Sequence, residues 1–222
     1  MKKFLLIVVL VLSLPVFGLS PAVDKAHKAS YQIGQKAVSG GGFCSATAVG
    51  PHALLTAAHC EIPTDDLYIR GIEDNPVQIV GKIRDEQDHS IYLLKGVTFP
   101  VYAEILPADK FEQGEDVFTF GNPGDWQDIY QRGYIAGILV DRSMAAAFGA
   151  GNPDEILLDF QAFPGQSGSG VFNADGKLIT VVSGEDEQEH HDEAIAFASA
   201  YRLNFSPEDL ARAKAFSAEA KK

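Results

Sequence analysis

The stretch Leu54-Leu55-Thr56-Ala57-Ala58-His59-Cys60 decides how this 222-residue sequence is interpreted. Two leucines end a short predicted strand, small residues permit a tight turn, and a histidine with a cysteine directly behind it follows. Histidine has an unperturbed pKa of about 6.5, which makes it the usual general base near neutral pH. A histidine that stands alone is more often structural. A catalytic role for it requires that the chain also supply a nucleophile, a carboxylate and an oxyanion site.

Residues 1–22 are predicted to form a signal peptide. Two lysines precede a nearly unbroken apolar run from Phe4 to Phe17, which is shorter than the roughly 20 residues that span a bilayer as a helix. Small residues follow, and cleavage is expected after Ala22, with the position after Gly18 as a second option. The mature protein is therefore expected to be secreted or periplasmic in a bacterium; an uncleaved anchor is the alternative.

The chain has a globular composition, with 46% hydrophobic and 22% charged residues. Loss of the two leader lysines would change the net charge from −12 to −14. Such acidity argues against nucleic acid and anionic membranes as partners, because both would repel the protein. The two cysteines, Cys44 and Cys60, predict one disulfide in an oxidising compartment, with two buried thiols as the alternative. The bond would close a loop of about 15 residues and stabilise the fold by roughly 3 kcal/mol.

Short strand-like segments, separated by turn signals about every ten residues, predict an all-β protein. The predicted strands cover residues 43–49, 53–55, 67–70, 77–83, 91–94, 117–120, 130–140, 156–160, 170–172, 178–183 and 194–198. The only convincing helix is predicted from Ser206, a capping residue followed by Pro207, to about Ala218. A break near Pro107 divides the strands into two halves, whereas residues 23–42 show little pattern.

The candidate nucleophile is Ser167, in the stretch Pro164-Gly165-Gln166-Ser167-Gly168-Ser169-Gly170. Glycines allow a substrate to come close and can direct successive N–H groups at one point, as an oxyanion site requires. A Gly/Ser-rich surface loop is the common alternative. The stretch runs directly into a predicted strand, however, which favours a structured turn.

The candidate orienting carboxylate is Asp88, at the start of an apolar strand where it can be buried against an imidazole ring. Asp85 is the competitor, three residues earlier in a more polar setting. His89 is adjacent to Asp88, and we expect it to point away because neighbours on an extended chain face opposite sides.

Taken together, these motifs resemble trypsin-like serine proteases of the chymotrypsin fold over roughly residues 40–200. The stretch Thr56–Cys60 looks like the histidine motif of that family, and Cys44 with Cys60 matches its disulfide beside the histidine. Asp88 fits its aspartate motif and the glycine-rich stretch around Ser167 its serine motif, in the same chain order. The connection between the halves is similar to that of the compact bacterial branch of HtrA-type and glutamyl-endopeptidase enzymes.

The resemblance implies two packed six-stranded antiparallel β-barrels followed by a C-terminal helix. The expected boundaries are 23–110 for the first barrel, 111–204 for the second and 205–222 for the helix. No PDZ domain is expected after the second barrel, and the protein is expected to be a monomer.

The resemblance also implies the roles of the site residues. Ser167 would attack the peptide carbonyl, His59 would take its proton, and Asp88 would orient and stabilise the imidazole ring. The backbone N–H groups of Gly165 and Ser167 would bind the oxyanion. The substrate would be a polypeptide, and neither a cofactor nor a metal is expected.

Substrate is expected to lie along the strand Val182-Ser183-Gly184, with its specificity pocket formed nearby. The residues expected to contact it are Gln161, Ala162, Val182, Ser183, Gly184 and Glu185. Glu185 and Asp186 would favour a basic substrate residue, or they belong to a solvated acidic loop, which is the commoner setting of charge runs. His190 and His191 lie among acids, but no spacing there defines a metal site.

Gln166 departs from the family pattern, because trypsin has at that place an aspartate that pairs with a freed N-terminus. Activation in the manner of trypsin is therefore not expected. A second hypothesis is a catalytically silent protein that retains the fold and binds peptides. An α/β-hydrolase is rejected, because residue 169 is a serine and the order of the three site residues is reversed.

Overall fold

A computed structural model describes residues 19–36, 44–72, 76–124, 126–139, 154–190 and 193–217, and two antiparallel β-sheets dominate it. Six strands form the first sheet: β1 (Ser30–Gln35), β2 (Cys44–Gly50), β3 (Ala53–Ala57), β4 (Leu67–Ile69), β5 (Gln78–Arg84) and β6 (His89–Lys95). Their order across the sheet is β4-β1-β2-β3-β6-β5. The strands β2 and β3 are buried along their whole length, and β6 is buried except at its last residue, which agrees with their small and apolar composition.

The second sheet closes on itself as a barrel in the order β10-β11-β12-β9-β8-β7. Its strands are β7 (Asp116–Gly121), β8 (Ile129–Leu139), β9 (Glu155–Leu158), β10 (Gly170–Asn173), β11 (Leu178–His190) and β12 (Glu193–Tyr201). The predicted all-β, chymotrypsin-like class is thus confirmed, with one closed barrel and one six-stranded half-barrel. Within the described part of the chain, β4 and β5 do not pair with each other, so the first sheet stays open.

The described part of the chain contains two helices beside the sheets, so the prediction of a single convincing helix was wrong. Helix α1 (Pro21–Ala29) and β1 both occupy the segment that showed little pattern in the sequence. The N-cap of α1 is Ser20, whose hydroxyl accepts from Val23 N–H at 3.3 Å. Its buried residues are the two alanines Ala26 and Ala29, a face too small to produce an apolar periodicity.

Helix α2 (Pro207–Ala215) begins where predicted and ends about three residues earlier than predicted. Ser206 accepts a hydrogen bond from Asp209 N–H at 3.1 Å, and acidic residues lie in the first turn, where the helix dipole favours them. The helix packs on the first sheet, with Ala213 buried against it.

Apolar side chains form one core within each sheet and a third core between them. The third core joins both sheets to both helices. Its members include Ala29, Leu55, Ile91, Leu93, Phe118, Phe120, Phe172, Val181, Leu203 and Ala213. This shared core fixes the two sheets relative to each other, and it thereby fixes the seam at which the candidate residues meet.

Close backbone contacts between the sheets occur at this seam. Ser45 in β2 donates from its N–H to Ser167 O at 2.8 Å and from its hydroxyl to Gly165 O at 2.9 Å. Gly168 has φ +86°, and a Cβ at that position would overlap the carbonyl oxygen of Ser45. Only glycine fits both the backbone conformation and the space there.

Candidate active site

His59 lies in the turn after β3, and the structure brings Asp88 to it rather than Asp85. The ring nitrogen Nδ1 of His59 is 2.7 Å from Asp88 Oδ2, and the His59 N–H donates to Asp88 Oδ1 at 2.9 Å. Asp88 also accepts at its backbone oxygen from Ala58 N–H at 3.0 Å. These three bonds fix the orientation of the carboxylate, and the Nδ1 contact leaves Nε2 of His59 as the ring atom that can face a nucleophile.

The disulfide between Cys44 and Cys60 is present, with a Cα–Cα distance of 6.2 Å. It joins the first residue of β2 to the residue that follows His59. The turn that carries the histidine is therefore covalently tied to the strand that contacts the serine loop.

The pKa values of the two groups move in opposite directions, as expected of an ion pair. The hydrogen bond to Asp88 raises the pKa of His59; burial of the ring opposes this, and the negative charge of Asp88 adds to it. Burial alone would raise the pKa of Asp88, but hydrogen bonds from His59 and Ser183 outweigh that effect and lower it. The pair therefore favours an ionised carboxylate beside a basic imidazole.

Asp85 binds a different histidine. Its Oδ2 is 2.6 Å from His89 Nδ1, and both side chains are completely buried. The same oxygen accepts from Asn204 N–H at 2.9 Å, and Oδ1 accepts from Gln87 N–H at 3.0 Å. His89 thus points away from His59, toward the core between the sheets.

Ser183 has a role that sequence reasoning missed. Its hydroxyl donates to Asp88 Oδ2, so this residue from the second sheet holds the carboxylate that orients His59. The sequence assigned it only to substrate binding. Nothing in the sequence around Ser183 indicates this contact, because it depends on how the two sheets dock.

Ser167 lies in the loop between β9 and β10, with its hydroxyl 3.3 Å from Ser183 O. Within the described residues no hydrogen bond joins this hydroxyl to His59. Serine hydroxyls rotate, and catalytic hydrogen bonds are often long or misaligned in the absence of substrate. The seam therefore places the serine, the histidine pair and Ser183 in one small region.

The expected oxyanion donors are the N–H groups of Gly165 and Ser167. Across the described part of the chain, neither group donates to a protein acceptor, so both can bind a substrate oxygen. Gly165 has φ +99°, and a Cβ there would overlap Asn122 O, so the loop requires glycine at this position.

The side chain of Gln166 holds this loop from within. It is buried, its Oε1 accepts from Phe163 N–H at 2.8 Å, and its Nε2 donates to Gln131 Oε1. Gln131 in turn donates to Gln161 O at 3.0 Å. The two glutamines thus bridge the beginning and the end of the loop that leads to Ser167.

The expected substrate-binding residues differ in their exposure to solvent. Ala162 and Val182 are buried, whereas Gln161 and Glu185 are exposed. Glu185 does not lie in a loop, because β11 continues through it and pairs it with Ala198. The expectation of an acidic loop is therefore corrected to a strand. The side chains of Asp186 and His190, and all of His191, lie outside the described residues.

Among the residues that the structure describes, no group of three or more His, Cys, Asp and Glu side chains could hold a metal ion. Nor does any helix in that part of the chain have the length and apolar character needed to cross a membrane.

Two packed antiparallel sheets, one closed as a barrel and one a half-barrel, place the chain in the chymotrypsin-like class of fold. The family model of the trypsin-like peptidase domain matches residues 40–181 of this sequence. The chain therefore belongs to the trypsin-like peptidase domain family. None of the curated proteins compared with this chain matches it in sequence.

Solved structures with the same fold include two of the HtrA-type protease AlgW, one with a decapeptide and one with a tripeptide. Their TM-scores are 0.64 and 0.61 and their sequence identities are 17% and 18%; each covers 86% of this chain. The present chain spans 66% and 62% of those two chains. The Ser343Ala mutant of Rv3671c from M. tuberculosis H37Rv, in its inactive form, has a TM-score of 0.62 and 17% identity. The match covers 89% of the present chain and 92% of the Rv3671c chain. At these sequence identities the likeness shows a common fold.

Proposed function

We propose that this protein is an exported serine endopeptidase that hydrolyses polypeptides through Ser167, His59 and Asp88. The observation that carries the proposal is the 2.7 Å hydrogen bond between His59 Nδ1 and Asp88 Oδ2. It is supported by the loop around Ser167, in which Gly165 and Gly168 have positive φ angles. Family membership supports the reaction class, because trypsin-like peptidase domains act on peptide bonds. The disulfide supports a location outside the cytoplasm.

The reaction would begin with attack of Ser167 Oγ on the substrate carbonyl carbon, while Nε2 of His59 takes the hydroxyl proton. The resulting oxyanion would accept hydrogen bonds from the N–H groups of Gly165 and Ser167. The C–N bond would then break as His59 returns the proton to the leaving amine. A water molecule, activated by the same histidine, would hydrolyse the acyl-enzyme and release Ser167. Asp88 would remain ionised and stabilise the imidazolium at each step.

The acyl half of the substrate would lie along Val182–Gly184 of β11 as an added strand. Ser183 cannot give its hydroxyl to substrate while it holds Asp88, so its contribution there would come from its backbone. The exposed carboxylate of Glu185 lies next along the same strand, where it would attract a basic substrate side chain.

Labelling by a fluorophosphonate probe tests this proposal. The purified exported protein should be labelled at Ser167, and Ser167→Ala should lose the label and lower peptide hydrolysis by about 10⁶-fold. Ser169→Ala is a matched control in the same loop, since that buried hydroxyl has no hydrogen-bond partner among the described residues, and it should keep the label. An unlabelled wild-type protein that still binds peptides would contradict the proposal and favour the silent binding protein.

A further inference from the structure

A cavity of about 470 Å³ lies beside the loop that carries the proposed oxyanion donors. One wall is the connection between β7 and β8, which contributes Pro123, Trp126 and Ile129. The other wall is the loop before Ser167, which contributes Phe163 and Pro164. The two walls are joined by a hydrogen bond from Gly124 N–H to Pro164 O at 2.8 Å. The cavity is therefore part of the same rigid unit as the oxyanion loop.

The described residues that line the cavity are mostly apolar. Two glutamines line its base, and their side-chain amides are already engaged with each other and with the loop backbone. The whole chain has a net charge of −12, but none of the described residues that line the cavity is ionisable. A polar or charged ligand would find no free partner there, so the lining favours an apolar group.

Two aromatic side chains on these walls are unusually exposed. Trp126 is 70% exposed and Phe163 is 49% exposed. Large aromatics that face water beside a cavity mark binding surfaces, because they offer much apolar area at little cost in side-chain entropy. The two rings come from opposite walls, so one inserted side chain can contact both.

The position of the cavity relative to Ser167 selects the part of the substrate that would reach it. The acyl half is assigned to β11, whose Ser183 O lies 3.3 Å from Ser167 Oγ. The described residues that line the cavity include none from β11, but they include Pro164 and Gln166, which precede and follow Gly165. An extended chain advances about 3.3 Å per residue, so the first or second residue after the scissile bond can cross Gly165 and enter it.

We infer that this cavity binds a large apolar side chain, such as leucine or phenylalanine, from the first two residues after the scissile bond of a polypeptide substrate. The inference rests on the proposed endopeptidase function. It names a preference on the leaving-group side of the substrate, which is set by Trp126 and Phe163 rather than by the residues along β11.

Trp126 makes the cavity directly observable, because it is the only tryptophan in the chain. In the Ser167→Ala protein, the leaving-group half of a substrate is represented by Phe-Leu-Ala amide, with Glu-Glu-Ala amide as the control peptide. The apolar peptide should shift the tryptophan emission to shorter wavelength in a saturable way, and the acidic peptide should not. Phe163→Ala should weaken this binding about tenfold. Tyr134→Ala, which removes an exposed aromatic of β8 outside the cavity, should leave it unchanged.

Kinetics with the active protein supply the second measurement. Peptides with one common sequence before the scissile bond should be cleaved about tenfold faster, in kcat/KM, when leucine or phenylalanine follows the bond than when alanine does. Phe163→Ala should reduce this difference to less than twofold, and Tyr134→Ala should preserve it. Equal rates for all peptides in a labelled, active enzyme, with no change in Trp126 emission, would overturn the inference and leave the proposed function intact. Absence of label at Ser167 with saturable Trp126 binding would instead overturn the proposed function while the apolar preference stands.

Discussion

Asp85 and Asp88 lie three residues apart, and each binds one histidine. The pair Asp85–His89 is completely buried, and Nε2 of His89 has no hydrogen-bond partner among the described residues. In contrast, the side chain of His59 is 49% exposed and that of Asp88 is 21% exposed. A general base must receive a proton from a group that reaches it and later release it, which only the exposed histidine can do. The surroundings of the two pairs thus support His59 and Asp88 as the working pair.

The pH dependence of hydrolysis follows from this pair. His59 must be neutral to accept the proton of Ser167, and the hydrogen bond to Asp88 raises its pKa above the usual 6.5. Activity should therefore be full at pH values above that raised pKa and should fall as the pH decreases through it. The acid limb of a kcat/KM profile measures the position of this fall.

Asp88→Asn provides the matched variant for that profile. The amide keeps the shape of the carboxylate but removes its charge and favours the wrong tautomer of His59, so kcat should fall by about 10⁴-fold. The acid limb of the residual activity should move to lower pH, because the cause of the raised pKa is gone. An unchanged acid limb in this variant would contradict the assignment of His59 as the group that titrates.

The sequence supplied candidate residues for the proposed site, but it did not indicate all of their contacts. Local motifs identified His59, Asp88 and Ser167 as candidates, because each lies in a short pattern of small or apolar neighbours. The hydroxyl of Ser183 could not be assigned to Asp88 in this way, since the two residues lie 95 positions apart in different sheets. Such a contact is determined by docking of the sheets, which no local pattern encodes.

The turn from Asp85 to Asp88 is held by hydrogen bonds to two separate parts of the chain. Asp85 accepts from His89 at the start of β6 and from Asn204 in the segment before α2. The turn that presents Asp88 is thereby tied both to its own sheet and to the chain that follows the second barrel. Asp85 is therefore a positioning residue in this scheme, because it acts through Asp88.

Asp85→Ala tests that role. Removing one partner of a buried pair should lower the free energy of unfolding by about 3–5 kcal/mol, and displacement of the turn should also lower kcat while KM changes little. Urea unfolding and kinetics on the same sample measure the two effects. Glu155→Ala is the control, because it removes a buried carboxylate of the second barrel that accepts from Ser199 at 2.7 Å. If both variants are folded and equally active, the turn has no positioning role.

Elements with a weak apolar pattern were the ones that sequence reasoning missed. Ser20 and Pro21 begin α1 as Ser206 and Pro207 begin α2, yet the first pair was taken for a cleavage region. The far end of β11 is polar, and its pairing with β12 rather than its side chains makes it a strand. Backbone pairing of this kind leaves no trace in hydrophobic periodicity.

At the scale of the whole molecule, α1 bears on the choice between the two predicted sites of signal-peptide cleavage. Cleavage after Ala22 would remove the cap Ser20 and the first residues of the helix, whereas cleavage after Gly18 would leave them in place. Loss of an N-cap costs about 1 kcal/mol, and Ala22 also packs beside Gly176 of the second barrel. The folded protein therefore favours the second of the two predicted positions.

Mass spectrometry of the exported protein should accordingly find Leu19 as the first residue. Ser20→Ala should be processed at the same position and should lower the free energy of unfolding by about 1 kcal/mol, since only the cap is lost. A mature chain that starts at Val23 would contradict this expectation. A chain that retains residues 1–18 after export would contradict the signal-peptide prediction itself.

The cavity beside Gly165 could not be predicted from the sequence, because it forms only when distant segments of the folded chain come together. Its walls come from segments about 35 residues apart, and neither Trp126 nor Phe163 lies in a pattern that indicates binding. Their significance depends on the hydrogen bond that joins the walls and on the proximity of both to Ser167.

The contact between Gly168 and Ser45 also bears on the stage of folding at which the proposed peptide hydrolysis can begin. Ser167 and His59 come together only after the two sheets have docked, and the shared core that docks them includes Leu203 and Ala213 from the last described segments. Contacts of such long sequence separation form late in folding. A chain whose synthesis is incomplete therefore lacks the assembled candidate site, and the proposed hydrolysis would begin only after the last segments have folded into place.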